Sequence, residues 1–273
     1  MLVLPKAWLE RWDGKDTFEQ LSALEGKVYK ERQGRKTFRF TLDGKHYFAK
    51  LHNGVGWKEI IKHLLQLRLP VLSAQNEWRA IQRVEQLGIK TMRLVGYGKR
   101  GWNPARLQSF LITEELANTL SLENFCRDWL TTPPRYALKR ALITKVAEIA
   151  RTLHEHGINH RDFYICHFLL DISAGPERID PRHLSLYLID LHRMQIRRHI
   201  PRRWRVKDIA GLYFSSMDVG LTQRDLLRFI RVYRNKPLPV SLHEDRVFWW
   251  QVRKRGIALY RKVFQKNPTI LRN

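Results

Sequence analysis

Cysteine is nearly absent. The 273-residue chain carries two, Cys126 and Cys166, which rules out a disulfide framework and makes a reducing compartment the natural setting. Both read as small buried apolar residues. Long hydrophobic runs are missing as well: FLL at 168–170 and LYLI at 186–189 fall far short of the roughly 18 apolar residues needed to span a bilayer. The amino end, MLVLPKAWLERWDG, has a very short apolar start, late charges and no small-residue cleavage site, unlike a secretory signal. A cytoplasmic protein is therefore expected. Glycine, proline and serine gather in no low-complexity block and no internal repeat is present, which excludes solenoids and disordered tethers. Acidic residues are scarce: 26 Asp and Glu face 50 Lys and Arg, a formal net charge of +24. A field of that sign speeds encounter with polyanions but does not choose among nucleic acid, anionic lipid and phosphorylated glycan.

What is present is enough for a substantial core: 44% apolar residues, with nine Trp, nine Tyr and twelve Phe. The length suits one sizeable domain or two lobes. Between residues 27 and 51 the pattern is that of strands. KVYKER precedes a QGRK turn, Phe38, Phe40 and Leu42 alternate with polar residues, an Asp43-Gly44 turn follows, and KHYFAKL returns. From Ala74 the spacing changes to helical, through Trp78, Ile81, Val84 and Leu87, with Gly88 as the stop. MRLVGYG and SFLITEEL then read as two further strands, which gives a small antiparallel sheet with one inserted helix. Beyond about residue 117 the chain turns mainly helical. Leu142, Val146, Ile149, Ala150 and Leu153 form one apolar stripe ended by Gly157. A loop follows, then strands at FLLDI and LYLID, and helices resume from about 207.

Four charged residues stand out in order along this layout: Lys50 at a strand end, Glu77 on the next helix, Asp162 in a loop after a long helix, and Asp190 at a strand end. Each alone would be an ordinary solvated charge. As an ordered set they suit phosphoryl transfer. That reaction needs an ammonium on the nucleotide phosphates, a carboxylate holding the ammonium, a carboxylate for the divalent metal, and a further carboxylate that takes the acceptor proton. With FAK at 48–50, HRD at 160–162 and IDL at 189–191, the chain resembles the protein-kinase-like fold. The resemblance covers nearly all of it. It implies an α+β fold with a small antiparallel β N-lobe (1–116) and a larger, mainly helical C-lobe (117–273), packed as one kinase domain.

At finer grain the chain is similar to the lipopolysaccharide core heptose(I) kinase family, on NHRDFYICHFLLD at 159–171, LYLIDLHRMQIR at 186–197 and GRKTFRF at 34–40. The resemblance implies an ATP- and Mg2+-dependent sugar kinase acting on the first heptose of the inner core. Asp162 is the expected base; Lys50, Glu77, Gly34 and Lys36 are expected at ATP, and Asp190 with His167 at the metal. His160, Arg161 and Asp208 are expected as supports. It further implies a lipid-anchored lipopolysaccharide core acceptor and peripheral association with the cytoplasmic face of the inner membrane.

Several features depart from ordinary protein kinases. The glycine-rich loop is reduced to Gly34, where Arg35, Lys36 or Thr37 would compensate, and Phe48 would crowd the adenine. His167 stands five residues after Asp162, where a metal-binding Asn is usual, and reads as a ligand, a loop brace or the mark of a single metal site. No Ala-Pro-Glu motif follows Asp190; the segment there is basic, and Arg193, Arg197 and Arg198 are the expected contacts to an anionic acceptor. Asp208 reads as a brace beneath the loop or as a plain helix N-cap. Zinc is not expected, since no Cys pair or His-Glu-x-x-His helix accompanies the histidines.

Three elements bear on partners. Arg224, Arg228 and Arg231 line one helical face that suits anionic headgroups or solvent. Leu2, Leu4, Trp8, Leu9 and Trp12 suit either a membrane interface or packing on the small lobe. No nucleic-acid-reading motif and no obligate protein partner are expected. The rival readings are a pseudokinase that binds without turnover and a small-molecule phosphotransferase of the same fold, for which the basic acceptor side is a poor match if the substrate is cationic.

Overall fold

The computed structural model describes residues 1–32, 34–65 and 73–268. Gln33 of the expected QGRK turn lies outside them. The chain divides into two compact units, one formed by residues 1–83 and 92–117 and the other by 84–91 and 118–273.

The first unit is built on strand alternation. In order along the chain come β1 (Leu2–Val3), α1 (Lys6–Arg11), α2 (Thr17–Ala23), β2 (Lys27–Arg32), β3 (Arg35–Leu42), β4 (Lys45–Asn53), α3 (Gly56–Leu65), α4 (Gln75–Gln86), β5 (Leu94–Arg100) and β6 (Gln108–Glu114). The strands make one antiparallel sheet in the order β1-β5-β6-β4-β3-β2. Phe38 and Phe40 on β3 and Tyr47, Ala49 and Leu51 on β4 point to one face and are buried, as the period of two requires. Trp8 and Trp12 join that core, with Trp8 edge-on to Tyr47 at 5.1 Å, so these amino-terminal aromatics pack on the sheet. Leu2 and Leu9 remain exposed. The sequence reading expected one helix here, and α1, α2 and α3 add to it. Asp16 caps α2 by accepting from the N–H groups of Phe18 and Glu19, a signal carried by one side chain.

The second unit begins with β7 (Thr119–Ser121), α5 (Leu122–Phe125), α6 (Tyr136–Glu155), β8 (Ile158–Asn159), β9 (Phe168–Asp171), β10 (Leu186–Leu188) and β11 (Gln195–Ile196). It ends with α7 (Arg202–Ser215), α8 (Gln223–Arg234), α9 (Leu238–Glu244) and α10 (Arg246–Phe264). The expected apolar stripe of α6 is buried throughout, Leu142 to Leu153. Strands β10, β9 and β7 form a small antiparallel sheet and β11 pairs with β8. Helix α7 starts at Arg202, directly after Pro201 and five residues before the sequence reading placed the return to helix. Among the described residues no helix is long and apolar enough to cross a membrane.

Candidate active site

In the first unit, the alternation that buries Ala49 and Leu51 turns Lys50 to the opposite side of β4. There its Nζ meets Glu77 Oε1 at 2.6 Å. Glu77 lies in the first turn of α4 and is 2% exposed. The helix is fixed at its start by the Ala74 N–H donating to Ser109 Oγ on β6 and on its flank by Trp78 stacked on Tyr97 at 4.8 Å. A carboxylate so buried is tolerable only with a cation beside it. Gly34 has φ +69, and a Cβ there would collide with the Gly54 carbonyl oxygen; its own carbonyl accepts from Asn53 N at 2.7 Å. Its lack of a side chain therefore serves a close backbone approach. Lys36 lies with Nζ 5.0 Å above the Phe38 ring, and Phe48 packs on Tyr29 at 5.4 Å.

In the second unit, α6 ends at Gly157 with φ +77, where a Cβ would strike the Arg197 carbonyl oxygen. The chain then pairs β8 with β11 and enters the loop that carries Asp162. His160 is fully buried; its Nε2 donates to the Ile189 carbonyl at 3.1 Å. Burial depresses the imidazole pKa below its ordinary value and keeps it neutral. Arg161 is held in the left-handed region at φ +76, an unfavourable conformation for a side chain of its size. Asp208 secures it. This carboxylate, 1% exposed and seven residues into α7, accepts from His160 N at 2.6 Å and from Arg161 N at 2.8 Å. Asp208 is thus the brace beneath the loop, and its mid-helix position excludes the N-cap alternative. His154 on α6 stands 3.4 Å from the same carboxylate and 2.8 Å from the Tyr233 hydroxyl on α8, a buried chain the sequence reading missed.

Asp162 itself is gripped by Arg193, whose Nη1 donates to both carboxylate oxygens at 2.8 and 3.0 Å. His167 Nδ1 donates to the Asp162 carbonyl at 2.7 Å. That bond fixes the tautomer: in the neutral ring Nε2 carries its lone pair, and it faces Asp190 Oδ2 at 3.6 Å. Asp190 lies two residues beyond β10 with φ +61, and its Oδ1 receives His192 Nδ1 at 2.5 Å. His192 was also missed, although it stands inside the quoted LYLIDLHRMQIR string. Arg197 donates to Asn159 Oδ1 and Gln195 Oε1, which ties β8 to β11, and Arg198 is exposed.

The donor set is consistent with magnesium. Among the described residues no group of three or more His, Cys, Asp or Glu side chains converges on a point, so none resembles an all-protein zinc cage. One carboxylate with an adjacent imidazole lone pair matches an ion that takes few protein ligands and completes its shell from substrate phosphates and water.

Helices α6, α7, α8 and α10 line a half-open cavity of about 440 Å3, walled largely by apolar side chains including Leu142, Ile209, Leu226, Ile230 and Trp249. Ile165, three residues from Asp162, is part of the wall, and so is Cys126, whose thiol is pushed up to about 12 by burial. The Cys166 thiol rises to about 11 for the same reason, so neither is a ready nucleophile.

Three comparisons with known proteins agree with this geometry. The sequence profile described as "Lipopolysaccharide kinase (Kdo/WaaP) family" matches residues 19–233. Two relatives named lipopolysaccharide core heptose(I) kinase WaaP come from Pseudomonas aeruginosa and Escherichia coli. The first is 50% identical over 96% of this chain and 97% of its own length, the second 47% identical over 98% and 100%. A solved structure titled "WaaP in complex with acyl carrier protein" superposes with a TM-score of 0.82 at 43% identity, covering 95% of this chain and 99% of that one. The fold is the expected α+β, protein-kinase-like one, with an antiparallel sheet in the first unit and a mainly helical second unit. On the profile match and the near-full-length identity, the chain belongs to the lipopolysaccharide kinase (Kdo/WaaP) family.

Proposed function

We propose that the chain transfers the γ-phosphoryl group of ATP to a hydroxyl of the first heptose of the lipopolysaccharide inner core. The observation that carries this reading is Asp162, held by Arg193 through both oxygens in a loop braced by Asp208, in a chain about half identical to relatives named for that activity. Asp162 takes the hydroxyl proton as the new O–P bond forms; the bond from the γ-phosphorus to the bridging oxygen breaks and ADP leaves. Lys50, positioned by Glu77, neutralises nucleotide phosphate charge, with the backbone at Gly34 toward the phosphates; Lys36, opposite Leu51 and over Phe38, lies on the other face of the sheet, contrary to the expectation that it contacts ATP. Asp190 would hold Mg2+, with His167 Nε2 as the second protein donor. When bound, the ion neutralises charge on the phosphate oxygens. Arg193, Arg197 and Arg198 address the anionic acceptor.

The same reading places the protein peripherally on the cytoplasmic face of the inner membrane, with exposed Arg198, Arg224 and Arg231 toward anionic headgroups. No obligate protein partner is expected from the sequence, yet the solved neighbour is a complex with acyl carrier protein. We extend that association to this chain, with the apolar cavity of the second unit as the receptor for an acyl group.

The test is ATP-dependent transfer to purified, unphosphorylated inner-core lipopolysaccharide by the native chain and by Asp162→Ala, at matched thermal stability. Loss of about 100- to 10,000-fold in the variant is expected. Equal transfer by both removes Asp162 as the base, and no transfer by the native chain removes the reading.

A further inference from the structure

Four cations crowd one indole. The guanidinium carbons of Arg161, Arg197 and Arg203 and the ammonium of Lys207 lie 5.2, 5.7, 5.5 and 5.4 Å from the ring centroid of Trp204. One cation over an aromatic face is favourable, but four within a Debye length repel one another almost unscreened. Among the described residues none of the four forms an ion pair. The two carboxylates within their field are already engaged: Asp162 by Arg193, and Asp208 by the backbone N–H groups of His160 and Arg161. From Leu191 to Met217 the sequence holds no acidic residue other than Asp208.

The strain shows at two atoms. Arg161 Nε and Trp204 Nε1 are buried donors with no acceptor among the described residues, and buried N–H groups are as a rule paired, with protein, water or a bound ion. Burial, reinforced by the neighbouring guanidinium groups, holds the Arg161 and Lys207 pKa values below their ordinary range. The cluster is fixed in place from both sides. Arg161 is locked by Asp208, Arg197 by Asn159 and Gln195, and Trp204, Arg203 and Lys207 ride on the first two turns of α7.

We propose that Arg161, Arg197, Arg203 and Lys207, gathered about Trp204, form a subsite for a phosphate or carboxylate group borne by the acceptor, distinct from the hydroxyl that Asp162 addresses. An anion there gives the cations their counter-charge and the two buried N–H groups an acceptor, with the oxygen geometry that guanidinium forks match. Arg161 directly precedes Asp162, so the subsite adjoins the base in the chain. This rests on the acceptor assignment above and adds a selection rule to it: an acceptor without the second anion binds poorly, whatever its reacting hydroxyl.

The experiment crosses protein and acceptor. Initial rates are measured for the native chain, Lys207→Gln and Arg203→Gln, with intact inner-core acceptor, carboxyl-reduced acceptor and dephosphorylated acceptor, at matched thermal stability. Each variant should raise the KM for intact acceptor about tenfold, as loss of a hydrogen bond to a charged group would, with kcat and the KM for ATP unchanged. Removing the right anion should raise the native KM by a similar factor and abolish the difference between native and variant. The arm that does so names the group as carboxylate or phosphate. A variant effect of equal size on all three acceptors, or no effect, overturns the proposal. Should the native chain transfer phosphate to no acceptor, the function assigned above falls instead. Calorimetric titration with inorganic pyrophosphate then decides the subsite: binding that weakens in Lys207→Gln and Arg203→Gln upholds it, and equal or absent binding overturns it.

Discussion

At the scale of single residues, the loop that carries Asp162 depends on side chains outside it. Asp208→Ala would strand the N–H groups of His160 and Arg161 and release a left-handed Arg161 from the carboxylate that holds its backbone. Two orphaned buried donors cost about 4 kcal/mol together. Urea unfolding should show a loss of that order, and transfer should fall further than the loss of folded protein explains. His160 adds a pH dependence. Its folded pKa lies below the ordinary imidazole value of about 6.5 because burial penalises the charged ring. At pH above 6.5 it is neutral in both states and costs nothing, whereas below 6.5 the unfolded chain binds a proton the folded one resists. Thermal midpoints should therefore drop as pH falls from 6.5, and His160→Gln should flatten that slope; an unchanged slope sinks the assignment. Of these residues, Lys50, Glu77, Asp162 and Asp190 were legible because each sits at a fixed place in an ordered motif. Asp208 was legible only as an alternative, since a carboxylate near a helix start looks like a cap until the helix is known to begin at Arg202. The His154–Tyr233 chain was not legible, because its three members lie on α6, α7 and α8 and no spacing in the sequence joins them.

At the scale of elements, α8 is held to α6 by one carboxylate with two duties. Asp225 completes a reciprocal cap with Thr222 at the start of α8 and pairs with Lys139 of α6 at 2.7 Å, both side chains being largely buried. Asp225→Ala removes the cap and leaves the largely buried Lys139 ammonium bonded to the Gly220 carbonyl without its carboxylate. A loss of about 3 kcal/mol is expected, the usual result of breaking a buried pair from one side. Asp225→Asn should recover part of it, because the amide oxygen still accepts from Thr222; denaturant midpoints separate the two variants. Elements with regular alternation or a long apolar stripe, such as β3, β4 and α6, declared themselves in sequence. Helix α3 did not, since GWKEIIKHLL is short and follows a glycine-broken segment with φ +80 at Gly54 and +72 at Gly56. Strand β1 is two residues long and acquires its identity only by pairing Leu2 and Val3 with Gly98 and Tyr97.

At the scale of the whole molecule, the surplus of 24 positive charges acts through space. Lowering ionic strength from about 0.15 M to about 0.01 M lengthens the Debye length from about 8 Å to about 30 Å. The apparent KM for acceptor embedded in anionic vesicles should fall several-fold over that range, and kcat for a soluble core oligosaccharide should stay level. An equal response with uncharged vesicles would show that the surplus charge has no part in reaching the membrane. The charge was plain from composition alone. The cavity was not: its walls come from segments running from Leu122 to Pro268, and each contributes residues that look like ordinary core.

Helix α7 carries one more consequence. Three residues after Asp208 comes Gly211, where a Cβ would press on the Phe163 carbonyl oxygen at 3.1 Å and the Tyr164 ring at 3.2 Å. One helical face thus works as a mould, with a carboxylate that grips the loop at its start and a bare patch that lets the rest lie flat. A bulky side chain in place of Gly211 would push the Phe163–Tyr164 stretch off the helix and so disturb the loop from its far end, while the catalytic letters His160, Arg161 and Asp162 remain intact.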